Sequence, residues 1–464
     1  MERPIIIIGG QAAGMSAAMQ IRRRNPKTPI CVFEKSRAFS YATCGMPYLL
    51  DRTVRDPDQL MRRSRIDLRE SYSIEIQTES EAVAVFPARR SIAIRDHSGA
   101  IRETAYQRLL IATGATPTIP SSLKHPLTDV ISFRFLDDAI KLLDRLKETA
   151  GNRHISILGG GILGCVLASV LAPQCRSISI IERESRLLPD WLPWISEAAG
   201  AALQRSGVRI ETNAFAERIE ISDRGLEAVI TSGNHRIPVS TMIIATGIRP
   251  ATDWLEGSGI DRDASGAIRV SRRMETSRKD IYAAGDCCET YHRVLRRNTY
   301  LPHGTTSNLQ GVCAGENMTD HPLDFPGSCG AKCAKIGDLE IARTGVTGLQ
   351  SLHEGIDTRE VMVDHFSRSQ YYPGAESIRL ALFADCKTNR VIGCEMMGKE
   401  GVSKRVDVVT TAVCAGMSPA QLSMVDFTYA PPLAPSKDPV MLAALLLNAE
   451  SNPDRRISSG GKCK

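Results

Sequence analysis

A glycine-rich strand-to-helix turn occurs twice in this chain, 150 residues apart, and few folds accommodate that. The first copy runs Ile5-Ile6-Ile7-Ile8 into Gly9-Gly10-Gln11-Ala12-Ala13-Gly14, and the second runs Ile155-Ser156-Ile157-Leu158 into Gly159-Gly160-Gly161-Ile162-Leu163-Gly164. Each turn follows an unbroken apolar run, as expected of a parallel strand buried on both faces. A helix follows, from Ser16 to Arg24 in the first copy and through Leu171 in the second. Next comes another apolar strand, Ile30 to Phe33 or Ile178 to Ile181, ending in Glu34 or Glu182. A dinucleotide turn needs glycine for a tight bend, for close approach to the pyrophosphate and for helix–strand packing. The helix N-terminus then offers unpaired N–H groups to the phosphates. Gly159, Gly161 and Gly164 meet the pattern in full. Gly9 and Gly14 meet it in part, because Gln11 stands at the middle position. Glu34 lies 25 residues after Gly9 and Glu182 lies 23 after Gly159, where a carboxylate accepts hydrogen bonds from ribose hydroxyls. Two dinucleotide sites are therefore expected. At the second, Glu182 repels a 2′-phosphate and favours NADH over NADPH, whereas Arg183 and Arg186 weaken that preference.

A second repeat supports the first. Leu109-Leu110-Ile111-Ala112-Thr113-Gly114 is mirrored by Met242-Ile243-Ile244-Ala245-Thr246-Gly247, and the two are followed by Pro117 and Pro250. These strands return the chain from one dinucleotide domain to the other, which makes Thr113, Gly114 and Gly247 candidate cofactor contacts. Ile281-Tyr282-Ala283-Ala284-Gly285-Asp286 is a short strand ending in a carboxylate. From about residue 326 the character changes. Ile378, Leu380 and Leu382 share one face at strand period, Val391 to Met397 reads as another strand, and Val402 to Met417 reads as a helix. The expected fold class is α/β, with two Rossmann-like domains and an α+β C-terminal domain. The first occupies 1–118 and 250–325, and the inserted second occupies 119–249. The C-terminal domain spans 326–450, and a polar tail, 451–464, is expected to be flexible.

Composition narrows the rest. The 464 residues, 42% hydrophobic and 24% charged, suit about three globular domains. No window is apolar and long enough to span a membrane. The four-residue Ile5–Ile8 run is too short for a signal core, so a cytoplasmic protein is expected. The 13 cysteines show no framework spacing, which fits a reducing compartment. Cys329-x3-Cys333 lacks a second ligand pair, so no metal site is expected. The net charge of +6 is partly local, in Arg22-Arg23-Arg24 and Arg62-Arg63-x-Arg65. Solvated helix faces or a patch for a phosphate-rich small molecule explain it. Nucleic acid is not expected, because 5% aromatic residues leave few stacking platforms.

One thiol stands out: Cys44, in Ser40-Tyr41-Ala42-Thr43-Cys44-Gly45-Met46-Pro47-Tyr48, 30 residues after the first turn's last glycine. With this residue the order of parts resembles the flavoprotein disulfide reductase superfamily over about residues 3 to 445. It is most similar to the single-cysteine branch of coenzyme A-disulfide reductases, persulfide reductases, NADH oxidases and NADH peroxidases. The resemblance implies FAD in the first site, with Asp286 on its ribityl chain, and NADH or NADPH in the second. It also implies a homodimer built through a C-terminal dimerisation domain. Two-cysteine reductases carry C-x4-C, but Leu49 stands at the second position here, so Cys44 acts through a sulfenic acid or a mixed disulfide. The histidine that peroxidases and oxidases carry in the first turn is replaced by Ala12. Tyr429-Ala430-Pro431-Pro432 and Tyr371-Tyr372-Pro373-Gly374-Ala375 resemble the segments that bring tyrosines to the active site, the former from the partner subunit.

The resemblance implies Cys44, Tyr429 and Tyr371 as catalytic groups. Arg22, Ser40 and Thr43 are candidate substrate contacts; capping of a Cys44 helix explains Ser40 and Thr43 equally well. The expected activity is FAD-dependent NAD(P)H:disulfide oxidoreduction, on coenzyme A disulfide or a related small disulfide or persulfide. The alternatives are an NADH oxidase reducing oxygen at the flavin and a flavin-binding redox sensor. Ile162 and Val166 replace the gating tyrosine and the helix glutamate of many relatives. Cys463, in the tail, is a further thiol.

Overall fold

The computed structural model describes residues 3–120, 123, 128–148, 151, 153–223 and 225–450. The polar tail and Cys463 lie outside the described residues. The strand Ile5–Ile8 is the middle of a five-stranded parallel sheet, ordered Ile281–Ala283, Arg108–Ile111, Ile5–Ile8, Ile30–Phe33, Ile74–Gln77. All four isoleucines are buried, as two-sided coverage requires. The helix that follows, Ala12–Arg24, starts four residues before Ser16, because Ala12 and Ala13 are strong helix formers. It packs against Gly304–Asn317, where a Cβ at Gly311 would lie 2.2 Å from the Ala13 carbonyl oxygen.

The second turn sits in the same way. His154–Leu158 is the middle strand of another parallel sheet, ordered Val208–Glu211, Ser177–Ile181, His154–Leu158, Thr241–Ile244, Val130–Ser132. The segments carrying Pro117 and Pro250 meet each other. Ala115–Pro117 pairs antiparallel with Ile248–Pro250, Pro117 opposite Ile248 and Ala115 opposite Pro250. Proline is tolerated there because each strand of this ribbon has only one ladder to serve.

The C-terminal sheet is antiparallel: Lys332–Ile336, Leu339–Gly345, Arg390–Gly398, Ser377–Asp385, Thr358–Phe366. Ile378, Leu380 and Leu382 are at most 1% exposed, so the period-two face is core. Val402–Ala415 and Pro439–Ala449 cover the sheet. The same domain leaves Met424, Tyr429, Leu433, Leu445 and Leu446 exposed. No described helix is long and apolar enough to cross a membrane.

Candidate active site

Backbone contact forces the glycines of the two cradles. Gly9 and Gly159 both hold φ +105°, where a Cβ would lie 2.1 Å from the Ala112 oxygen and 2.4 Å from the Ala245 oxygen. A Cβ at Gly14 would meet the Gly9 oxygen at 1.8 Å, and one at Gly164 the Gly159 oxygen at 1.9 Å. A Cβ at Gly161 would meet no described atom within 4 Å, so the missing side chain leaves open space at the helix N-terminus. Neither Ala12–Arg24 nor Ile162–Leu171 has a described side-chain cap or an acid in its first turn. Their first N–H groups therefore remain available to an anion.

The strand-end acids close on these turns. Glu34 accepts from the Gly10 N–H at 2.7 Å and from the Ser36 N–H at 2.9 Å. Glu182 accepts from the Gly160 N–H at 2.5 Å and from the Glu184 N–H at 2.8 Å. Gly114 and Gly247 both hold positive φ, and the Thr113 hydroxyl donates to the Ala251 carbonyl at 2.9 Å. Asp286 accepts from Arg134 Nη2 at 2.8 Å and from the Ser307 hydroxyl at 3.1 Å, while the Tyr300 hydroxyl donates to its backbone oxygen at 3.1 Å. Arg134, Ser307 and Tyr300 were not foreseen. Arg134 comes from the inserted domain, 152 residues away, and no local pattern marks it.

Gln11, the departure from the glycine pattern, accepts weakly from the Tyr41 N–H at 3.4 Å, while its Nε2 is buried with no described partner. A free donor thus faces the interior where a pyrophosphate-bearing cofactor would complete the turn. The residues present fit a dinucleotide at both turns.

Cys44 does not head a full helix. It lies in a single 3-10 turn, Thr43–Gly45, followed by the four-residue helix Pro47–Leu50. So short a helix carries little dipole to steady a thiolate. Nor do Ser40 and Thr43 cap it, since Ala42 and Met46 occupy the cap positions. Ser40 instead holds φ 49°, donates its N–H to the Gly10 oxygen at 2.8 Å and accepts from the Arg62 N–H at 2.7 Å. It pins the Cys44 loop to the first turn. Cys44 is exposed, whereas burial pushes the Cys31 and Cys165 thiols up to about 12. Tyr48 titrates high, first through burial and then through the charges of Asp51, Cys44 and Cys333, so these groups share one neighbourhood. Val166 is buried in the cluster that holds Met46 and Leu49, so an aliphatic residue there packs the Cys44 segment onto the second nucleotide domain.

Tyr371 and Tyr429, 58 residues apart, lie close enough to perturb each other's phenol, with Ser369 beside both. Each phenol shifts chiefly through the other, Tyr371 above the ordinary value and Tyr429 below it. They are 75% and 51% exposed, and no described hydrogen bond or charge contact links them to Cys44 of the same chain. Arg405 ties their segments together, donating to Asp438 at 2.8 Å and to the Ser367 oxygen at 2.7 Å. Both side chains of the Arg405–Asp438 pair are largely buried, at 11% and 8% exposed. Arg405→Met strands the Asp438 carboxylate, so a stability loss of roughly 3–5 kcal/mol is expected in denaturant unfolding.

Arg22 and Arg24 of the first arginine run are engaged within the protein. Arg22 donates to the Tyr72, Asn25, Pro26 and Ser73 carbonyls at 2.6, 3.2, 2.6 and 2.8 Å, closing its own helix end rather than facing substrate. Arg24 forks onto Glu316. In the second domain, Arg183 pairs with Glu184, and Arg186 donates to the Pro189 and Trp191 carbonyls. Cys287 and Cys288 are fully buried beside Asp286, their thiols directed at carbonyl oxygens.

This arrangement matches a known family. The model described as pyridine nucleotide-disulphide oxidoreductase matches residues 3–304, and that of the family's dimerisation domain matches 332–439. The chain belongs to the pyridine nucleotide-disulphide oxidoreductase family. It is 30% identical over 450 residues to an NAD(P)H coenzyme A polysulfide/persulfide reductase of Pyrococcus horikoshii, covering 96% of this chain and 99% of that one. An NADH oxidase of Methanocaldococcus jannaschii is 30% identical over 440 residues, covering 95% and 97%. Among solved structures, an NAD-dependent persulfide reductase from A. fulgidus superposes with a TM-score of 0.91 at 32% identity, covering 96% of this chain and 83% of that one. Members of this oxidoreductase family use FAD and NAD(P)H.

Proposed function

We propose that this chain is an FAD-dependent NAD(P)H:disulfide oxidoreductase that works through Cys44 on a low-molecular-weight disulfide or persulfide, coenzyme A disulfide being the leading candidate. One observation carries the reading. Cys44 is an exposed thiol on a loop hydrogen-bonded to the first dinucleotide turn, with Leu49 where a second cysteine would complete an internal disulfide. FAD and NAD(P)H supply the two-electron relay, hydride in from the nicotinamide and an electron pair out to sulfur. Gly9, Gly14 and Glu34 hold the first dinucleotide, with Asp286, Thr113 and Gly114 along it. Gly159, Gly161, Gly164, Glu182 and Gly247 hold the second.

Cys44 Sγ attacks one substrate sulfur, the substrate S–S bond breaks and the far half leaves as a thiolate. Return of two electrons to the mixed disulfide frees the second half and restores the thiolate. In a homodimer the exposed Tyr371–Tyr429 pair of one copy serves Cys44 of the other, Tyr429 giving a proton to the departing thiolate. Ser40 and Thr43 flank the thiol where a substrate half would lie. Tyr429→Phe is expected to slow disulfide turnover by roughly tenfold with NADH-dependent flavin reduction unchanged. Tyr371→Phe removes the neighbour that holds Tyr429 low, so Tyr429 is expected to ionise at higher pH, visible by ultraviolet difference titration.

Anaerobic NADH oxidation with coenzyme A disulfide as sole acceptor tests the reading. Turnover that requires Cys44 supports it, and flavin reduction without turnover moves the substrate to persulfides or other disulfides. The equal identity to an NADH oxidase favours one rival, oxygen reduction at the flavin. Ala12, without a proton-relaying side chain, weighs against it, and oxygen uptake with peroxide detection separates the two.

A further inference from the structure

Two thiols outside this mechanism face each other. Cys329 precedes the first strand of the C-terminal sheet, and Cys414 sits in the last turn of the helix Val402–Ala415. Their Sγ atoms are 3.5 Å apart. A disulfide needs about 2.05 Å, a closure of roughly 1.5 Å. Cys329 lines a cavity of about 520 Å³ shared with Arg186, His292, Tyr300, Lys332 and Arg343, and Cys414 is half-buried. Arg293 Nη2 donates to the Cys414 carbonyl at 2.8 Å, which brings a cation beside the same residue.

The pair is chemically asymmetric. The thiol–thiol contact, with help from Arg293, lowers Cys414 to about 6 against its burial, while Cys329 is pushed up. Cys414, the less buried thiol and the one beside Arg293, is the better-placed nucleophile. Cys165 and Cys394, buried without such a partner, are both raised.

We propose that Cys329 and Cys414 form a reversible disulfide, distinct from Cys44, with a low-molecular-weight disulfide or polysulfide as oxidant. The choice of oxidant rests on the reading above; the pairing does not. The Cys414 thiolate attacks the oxidant RS–SR, giving Cys414–S–SR and RS⁻. Cys329 then loses its proton to solvent and attacks Cys414 Sγ, forming Cys329–Cys414 and a second RS⁻. The protein loses two electrons and one disulfide becomes two thiols. The bond joins the segment carrying Ser328, which is hydrogen-bonded to Tyr291 and Arg293, to the helix Val402–Ala415. It ties one lining residue of the cavity, Cys329, to a helix that does not itself line it.

The test uses full-length, FAD-loaded Cys44→Ser protein, so the active-site thiol cannot contribute. The protein is incubated anaerobically with coenzyme A disulfide or inorganic tetrasulfide, blocked with iodoacetamide and mapped by mass spectrometry without reduction. A Cys329–Cys414 linked peptide that accumulates with either oxidant is expected. In a Cys329→Ser background, Cys414 is instead expected to carry coenzyme A as a mixed disulfide. The pH at half-maximal alkylation rate of Cys414 rises from near 6 in that background. Full alkylation of both cysteines after treatment overturns the proposal. So does a stable coenzyme A adduct on Cys414 while Cys329 is intact. The reading of Cys44 fails separately, if disulfide turnover survives Cys44→Ser whatever the peptide map shows.

Discussion

Cys44→Ser is expected to lose disulfide reduction by roughly a thousandfold or more while FAD remains bound and NADH still bleaches it. The serine hydroxyl fills the same place in the Thr43–Gly45 turn, and the loop stays anchored through Ser40 to Gly10, so geometry is preserved and only the nucleophile is lost. Anaerobic stopped-flow absorbance reads both halves in one experiment. Flavin reduction should proceed at the rate of the unmutated chain, and addition of coenzyme A disulfide should produce no reoxidation. Sustained turnover in the variant would remove the thiol from the mechanism. The nearby exposed Cys333 would then be the first residue to replace.

Gly164→Ala is expected to cut kcat/KM for NADH by roughly a hundredfold or more without changing FAD content. The added Cβ would lie 1.9 Å from the Gly159 oxygen, so the helix must move off the very turn that presents its N–H groups to pyrophosphate. The flavin cradle belongs to a different sheet and does not share that contact. Gly14→Ala carries the matching clash, 1.8 Å from the Gly9 oxygen, and should instead yield protein purified without flavin. Gly161→Ala meets no described atom within 4 Å, so the protein should fold normally and weaken only in nucleotide binding. The ratio of flavin to protein absorbance, the NADH KM and the melting temperature separate the three variants.

What the sequence revealed, and what it did not, follows from range. The glycine turns were legible because backbone atoms within a few residues decide them, and Glu34 and Glu182 lie at the spacing that one βαβ unit dictates. The apolar periods of Ile5–Ile8 and of Ile378, Leu380 and Leu382 located buried strands for the same reason. Around Cys44 no long helix forms: the chain turns once and then makes only Pro47–Leu50. Arg22 stands in a basic run, but charge alone says nothing of the four carbonyls that take up its guanidinium. Arg134 on Asp286, Arg405 on Asp438 and Cys329 against Cys414 stand 152, 33 and 85 residues apart, and only tertiary packing brings them together.

The ribbon of Ala115–Pro117 and Ile248–Pro250 has an evolutionary consequence. Because the chain leaves the flavin domain and re-enters it on neighbouring strands, entry and exit lie about 5 Å apart. The whole nicotinamide domain is therefore a cassette with adjacent ends, covalently joined to its host by one pair of peptide joins and packed on it through contacts such as Arg134–Asp286. Cutting at Thr116 and Arg249, which face each other across the ribbon, would let a recombination event or a designer exchange it for one of different nucleotide preference. The thiol chemistry at Cys44 would be left on the recipient side of both cuts.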